Sequence, residues 1–187
     1  MITQKYNKEI LPLFIILFAG FLHSTEQKVY RVPIQGVIDL GLPTFIERVI
    51  EEAENDQVEV IIFDIDTFGG RVDAATQIKD AILDSDVPTV AFINRRAISA
   101  GALISLSCET IYMTGGGTIG AATAVDMSGN KASEKMISYM REEMASTAES
   151  RDRNTIIAKC MVDEELSFTH VITVSYTHLT LPTSDLV

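Results

Sequence analysis

Val58 to Ile65 reads Val-Glu-Val-Ile-Ile-Phe-Asp-Ile, a near-continuous apolar run of strand length. A strand with no wet face belongs in a sheet covered on both sides, which is the habit of parallel sheets. The chain around it alternates in kind. Val29-Tyr30-Arg31-Val32-Pro33-Ile34 reads as an earlier strand, broken by Gly36 and Gly41-Leu42-Pro43, and Phe45, Val49, Ile50 and Ala53 then recur at helical spacing to about Asn55. Past Gly69-Gly70-Arg71, the residues Val72, Ala75, Ile78, Ala81 and Ile82 mark a second helix that ends near Asp84-Ser85-Asp86. Val87 to Ile93 is a third strand, and an Ala/Leu/Ile-rich helix follows Ser99. Strand and helix in alternation predict βαβ units: an α/β fold whose mainly parallel sheet is flanked by helices.

Beyond Ser107 the pattern loosens. Glu109 to Met113 reads as a strand, Gly115-Gly116-Gly117 as a turn, Thr118 to Ala122 as another extended piece, and Asp126 to Lys131 as a polar loop. Ala132 to Glu149 reads as a helix with Ile137, Met140, Met144 and Ala148 on one face, and a last helix follows Asn154.

The 187 residues suit one domain with a real core, packed by aliphatic side chains because there is no Trp. A net charge of −11, from 26 acidic against 15 basic residues, excludes nucleic acid as a partner, since Arg95-Arg96 is too short a basic patch to hold a phosphate backbone. Cys108 and Cys160 stand far apart without His neighbours, which argues against a zinc site; Cys108 reads as core. At the N-terminus, Lys5 and Lys8 precede an uncharged run from Ile10 to Leu22 and a polar exit, the layout of a secretory signal or uncleaved anchor over residues 1–25. The domain that follows is then expected outside the cytoplasm. Val174 to Thr183 resembles the translated end of a transposon adapter used in sequencing libraries, so residues 174–187 are set aside as non-native. The native C-terminal part is expected to lie beyond this chain.

Chemistry points to Ser99. It sits at a strand-to-helix turn in Ala97-x-Ser99-x-Gly101, a relaxed form of the elbow that exposes a nucleophilic serine beside the free N–H groups of a helix start. A helix N-cap is the competing reading, since Ser is favoured there. Gly69 and Gly70 fit a backbone that presents N–H groups to a reacting carbonyl, and on spacing alone fit a tight turn equally well. Lys135, in the first turn of the Ala132 to Glu149 helix, is a solvated helix lysine or a general base; Lys131 is its rival in the polar loop.

Together, Asp66-Thr67-Phe68-Gly69-Gly70-Arg71-Val72, Ala97-Ile98-Ser99-Ala100-Gly101-Ala102, Thr118-Ile119-Gly120-Ala121 and Ala132-Ser133-Glu134-Lys135-Met136-Ile137-Ser138-Tyr139 resemble the NfeD family of membrane-bound, ClpP-class serine proteases. The likeness covers about residues 29 to 170. It implies a ClpP/crotonase-like fold, a protease domain over residues 26–173, and no metal or cofactor. It implies endopeptidase activity on apolar segments of membrane-associated proteins, stomatin-like proteins as substrate or partner, and assembly into dimers or larger homo-oligomers. Carried over residue by residue, Ser99 is the nucleophile and Lys135 the base. Gly70 and Ala100 supply the oxyanion-hole N–H groups, and Gly69, Thr118, Ile119, Gly120 and Ala121 line the substrate. The family's usual Pro before the glycine pair is Phe68 here. The resemblance also implies further membrane spans and a small β-barrel domain in the missing C-terminal part.

The histidines favour a dyad independently. His23, His170 and His178 all lie where the predicted fold does not easily bring them to Ser99, so a Ser-His-Asp triad lacks its imidazole. A lysine serves as base only when uncharged, which burial among apolar side chains such as Met136 and Met140 would favour. Two other readings share these residues: a crotonase-like acyl-CoA enzyme, which needs no nucleophilic serine, and a non-catalytic membrane scaffold for stomatin-like partners.

Overall fold

The computed structural model describes residues 27–125, 128–163 and 165–166. The signal or anchor segment, the adapter-like tail and all three histidines lie outside the described residues. Five strands form one sheet: β1 (Val29–Ile38), β2 (Val60–Gly70), β3 (Thr89–Ile98), β4 (Thr110–Met113) and β5 (Thr118–Gly120). The order is β1-β2-β3-β4 and every pairing is parallel, with β4 on the first half of β3 and β5 on its last three residues. The helices are α1 (Leu42–Asn55), α2 (Val72–Leu83), α3 (Ala100–Ser107), α4 (Glu134–Glu149) and α5 (Thr155–Cys160).

The strands run further than the apolar runs that announce them. β1 passes through Gly36, which takes a φ of +77° at a register shift between Gln35 and Val37 instead of ending the strand. β2 continues past Ile65 to Gly70, and β3 past Ile93 to Ile98, so that the glycine pair and Ser99 both follow directly from paired backbone. Period-two alternation sends Ile61, Phe63 and Ile65 of β2 and Ala91, Ile93 and Ala97 of β3 into a core where each is fully buried. Burying a side chain of this size contributes about 1.5–3 kcal/mol. α1 adds Ile46, Val49, Ile50 and Ala53 to that core, and α2 adds Ala74, Ala75, Ile78 and Ile82.

α3 is buried along its whole length, which explains its lack of a polar face. Its far end would leave carbonyls without partners in the interior. Arg151 donates to Ser107 O at 2.7 Å, and Arg153 donates to Leu106 O and Cys108 O at 2.8 Å each, so two guanidiniums close the helix that Ser99 begins. Cys108 is core, as expected, and burial pushes its thiol up to about 12; both cysteines are free. Lys79 of α2, almost buried, reaches Asp80 at 2.7 Å and Glu143 of α4 at 3.0 Å. Burial opposes its charge, but the two carboxylates outweigh burial and raise its pKa, which ties α2 to α4.

Candidate active site

The path of the backbone sets aside the capping reading of Ser99. Ser99 occupies the N-cap position of α3 yet makes no side-chain capping bond, and its φ of +55° and ψ of −115° lie where L side chains are rarely held. A serine kept for capping would have extended backbone and its hydroxyl on the N2 or N3 amide. Here the hydroxyl is left without a bond among the described residues, half-buried, at a strained strand-to-helix turn. The turn is locked from both sides. Ser99 N–H donates to Gly120 O at 2.8 Å, and Ser99 O accepts from Ala102 N–H at 2.9 Å.

The glycines interlock with this turn. Gly69 has a φ of +105°, and a Cβ there would stand 2.7 Å from Ser99 Cβ. A Cβ on Gly101 would stand 2.6 Å from Thr67 Cγ2, and Thr67 Oγ1 in turn accepts Gly69 N–H at 2.9 Å and donates to Gly36 O. Gly70 backs onto β1: Arg71 N–H donates to Ile38 O at 2.8 Å. Ala100 N–H, first in α3, has no intrahelical partner. Gly69 N–H and Ser99 N–H are already spent, on Thr67 Oγ1 and Gly120 O.

β5 lies along the end of β3, with Thr118 opposite Arg96 and Gly120 opposite Ile98. Among the described residues no strand pairs with its other edge. Thr118 is exposed, Ile119 half-buried, Gly120 buried with φ +124°, and Ala121 exposed with φ +48°, so the strand stops at Gly120 and not at Ala122. Just past it Ala122 N–H donates to Met161 O at 2.7 Å, and Thr123 Oγ1 to Val162 O at 2.8 Å. The chain after α5 therefore closes the downstream end of that edge, a contact between distant segments that no local pattern announces.

Lys135 departs from expectation. It is exposed and makes no hydrogen bond or ion pair among the described residues, to Ser99 or otherwise; Met136 beside it is 41 % exposed, and only Met140 is buried. The reason is helical spacing: α4 buries Ile137, Met140, Met144 and Ala148, and Lys135 lies about 200° around the helix from Ile137. Lys131, the rival, is also exposed and pairs with Val125 in an isolated bridge. Phe68 sits 72 % exposed on the sheet face opposite the core, with the Arg96 guanidinium 4.4 Å over its ring and Asp66 holding Arg96 Nε at 3.2 Å. Composition marks Arg96 only as half of a short basic pair; its place beside the glycine loop comes from pairing.

The model of the NfeD1b N-terminal domain matches residues 28–186. The chain belongs to the NfeD1b N-terminal domain family. Membrane protein NfeD1b of Bacillus subtilis is 34 % identical over 166 residues, covering 87 % of this chain and 38 % of that protein. Membrane-bound protease PH1510 of Pyrococcus horikoshii is 30 % identical over 168 residues, 86 % of this chain and 38 % of its own. The chain thus spans well under half the length of these curated relatives. Among solved structures, a lysine-to-alanine mutant of the 1510-N membrane-bound stomatin-specific protease, in complex with a substrate peptide, superposes with a TM-score of 0.70 at 31 % identity over 76 % of this chain and 68 % of that one. ClpP1 from Listeria monocytogenes, at 23 % identity and a TM-score of 0.51 over 71 % of this chain and 78 % of that one, shares the fold. No described helix is long and apolar enough to cross a membrane.

Proposed function

We propose that this NfeD1b-type domain is a serine endopeptidase with a Ser99–Lys135 dyad, acting on apolar segments of membrane-associated, stomatin-like proteins. The observation that carries the reading is the strained, uncapped Ser99 turn, with the glycine loop so close that a Cβ on Gly69 would stand 2.7 Å from Ser99 Cβ. A crotonase-like acyl-CoA enzyme would have use for the two amides but none for a hydroxyl held at the cost of backbone strain.

In the proposed reaction Ser99 Oγ attacks the scissile carbonyl while its proton passes to Lys135 Nζ. The new oxyanion is held by Gly70 and Ala100 N–H, an arrangement worth about 3–4 kcal/mol per donor in related acyl transfers. The C–N bond then breaks as Lys135 returns the proton to the departing amine, and water hydrolyses the Ser99 ester by the same path reversed. The substrate backbone adds to the open edge of β5 over Thr118, Ile119, Gly120 and Ala121, with Gly69 on its other side. Because Lys135 stands in water in the single chain, its desolvation falls to what covers the first turn of α4: the bound peptide, or a second copy in a dimer or larger homo-oligomer. The domain is assigned to the extracytoplasmic side of a membrane, where the N-terminal segment would place it.

Hydrolysis of a peptide from the apolar segment of a stomatin-like protein tests the dyad. Lys135→Ala and Lys135→Arg are both expected to lower kcat/KM by about 10²–10⁴-fold, because a guanidinium does not release its proton in this pH range. Hydrolysis retained in Lys135→Arg contradicts the base assignment, and a cellular phenotype left intact by both variants favours the scaffold reading.

A further inference from the structure

Gly69-Gly70 is the most freely rotating pair a backbone can hold, yet the proposed reaction asks one of its amides to stand still for an oxyanion. A donor stabilises developing charge well only when its direction is fixed before the charge appears. Something must therefore hold the pair. Thr67, two residues upstream and 1 % exposed, accepts Gly69 N–H on its hydroxyl at 2.9 Å and donates the hydroxyl proton to Gly36 O, at the register shift of β1. Both capacities of that hydroxyl are thus used in the interior. On the other side of the pair Arg71 N–H is tied to Ile38 O at 2.8 Å, so the peptide between Gly69 and Gly70 hangs between two fixed points. One of them is sheet backbone. The other is a side chain.

The Thr67 methyl reaches the start of α3. A Cβ on Gly101 would stand 2.6 Å from Thr67 Cγ2, so the methyl packs on the first turn of that helix, one residue past Ala100. Pairing of Thr67 with Ala97 keeps it beside the strand that leads into Ser99. We infer that Thr67 is a positioning residue: its hydroxyl sets the direction of the glycine-pair peptide, and with it of Gly70 N–H, relative to Ser99. The inference rests on the serine endopeptidase reading. Thr67 is buried and acts through Gly69, which lies so near the nucleophile that a Cβ there would stand 2.7 Å from Ser99 Cβ. A small rotation of the loop is therefore felt at the reacting atoms.

The test separates the hydroxyl from the shape. Thr67→Val keeps the volume and leaves Gly69 N–H and Gly36 O without their partner; Thr67→Ser keeps the hydroxyl and drops the methyl. Hydrolysis of a peptide from the apolar segment of a stomatin-like protein is measured well below each thermal midpoint, per active site counted by complete fluorophosphonate labelling. Thr67→Val is expected to lower kcat by about 10–100-fold with KM within about 3-fold of wild type, because the lost alignment matters only once the oxyanion forms. Thr67→Ser is expected to recover at least about a third of the wild-type kcat. A threonine with a structural role alone would move the midpoint and leave kcat per labelled site unchanged, and that result overturns the inference. So does a Thr67→Ser protein as slow as Thr67→Val. Hydrogen exchange of the Gly69 amide in the wild-type chain, followed by NMR, needs no variant to fold: it is expected to run at least about 100-fold slower than in an unstructured peptide, and exchange at the unstructured rate overturns the tether. Absence of both hydrolysis and Ser99 labelling in the wild type overturns the protease reading and this inference with it.

Discussion

Ser99→Ala is expected to lower peptide hydrolysis by at least about 10³-fold while leaving the thermal midpoint within a few degrees of wild type. The loss follows because the hydroxyl is the only atom removed and no other described group stands at the turn to replace it. The stability is spared because alanine inherits the same backbone: the φ of +55° is as costly for Ala as for Ser, and no capping bond is lost. Ser99→Gly sharpens the point. Glycine adopts this conformation freely, so the substitution is expected to stabilise the fold by about 1 kcal/mol, read as a higher denaturation midpoint, while abolishing hydrolysis just as completely. A residue whose removal both relaxes the chain and silences it is held there for chemistry. Should Ser99→Gly instead destabilise the protein, the turn is not strained and the argument from its backbone fails.

The second large effect is structural. A methyl group on Gly70 would stand 2.1 Å from Ile38 O and 2.7 Å from Ile38 N, both backbone atoms of the paired strand, which have no rotamer to give. Gly70→Ala must therefore part the end of β2 from β1 or move the loop, at an expected cost of about 3 kcal/mol or more, seen as loss of soluble protein or a collapse of the denaturation midpoint. The register Ile38↔Gly70 is the reason: one face of Gly70 is already filled by β1. The residue is thus fixed by close packing and is available for catalysis through its amide alone. A Gly70→Ala protein of wild-type stability would show that the strand end is free to adjust.

The alternation of buried strands and amphipathic helices was legible because each element carries its own periodicity: the stripe Ile137, Met140, Met144 and Ala148 is the buried face of α4, and Val60 to Ile65 of the apolar run form the first part of β2. Strand ends were not legible. Asp66, Thr67 and Arg96 look like loop residues, yet pairing with neighbouring strands keeps them extended, and those neighbours are remote in sequence. Ser99 could be placed at its turn from the change of period around it, but its strain and its missing cap are properties of dihedral angles that composition does not encode. The exposure of Lys135 was implicit in the spacing. Its position about 200° from Ile137 already puts it opposite the core, and the apolar neighbours Met136 and Met140 are not on its side of the helix. The pairing of Ala122 with Met161 and the meeting of α2 with α4 at Thr76 and Tyr139 join segments by tertiary packing alone.

Treatment of the chain with a fluorophosphonate, followed by mass mapping of the adduct, addresses the nucleophile directly, since the probe forms an O–P bond and expels fluoride only at an activated hydroxyl. The expected result is a single adduct on the peptide containing Ser99, with labelling at least about 10²-fold slower in Lys135→Arg. No adduct at Ser99, or labelling of Lys135→Arg at the wild-type rate, contradicts the serine–lysine assignment.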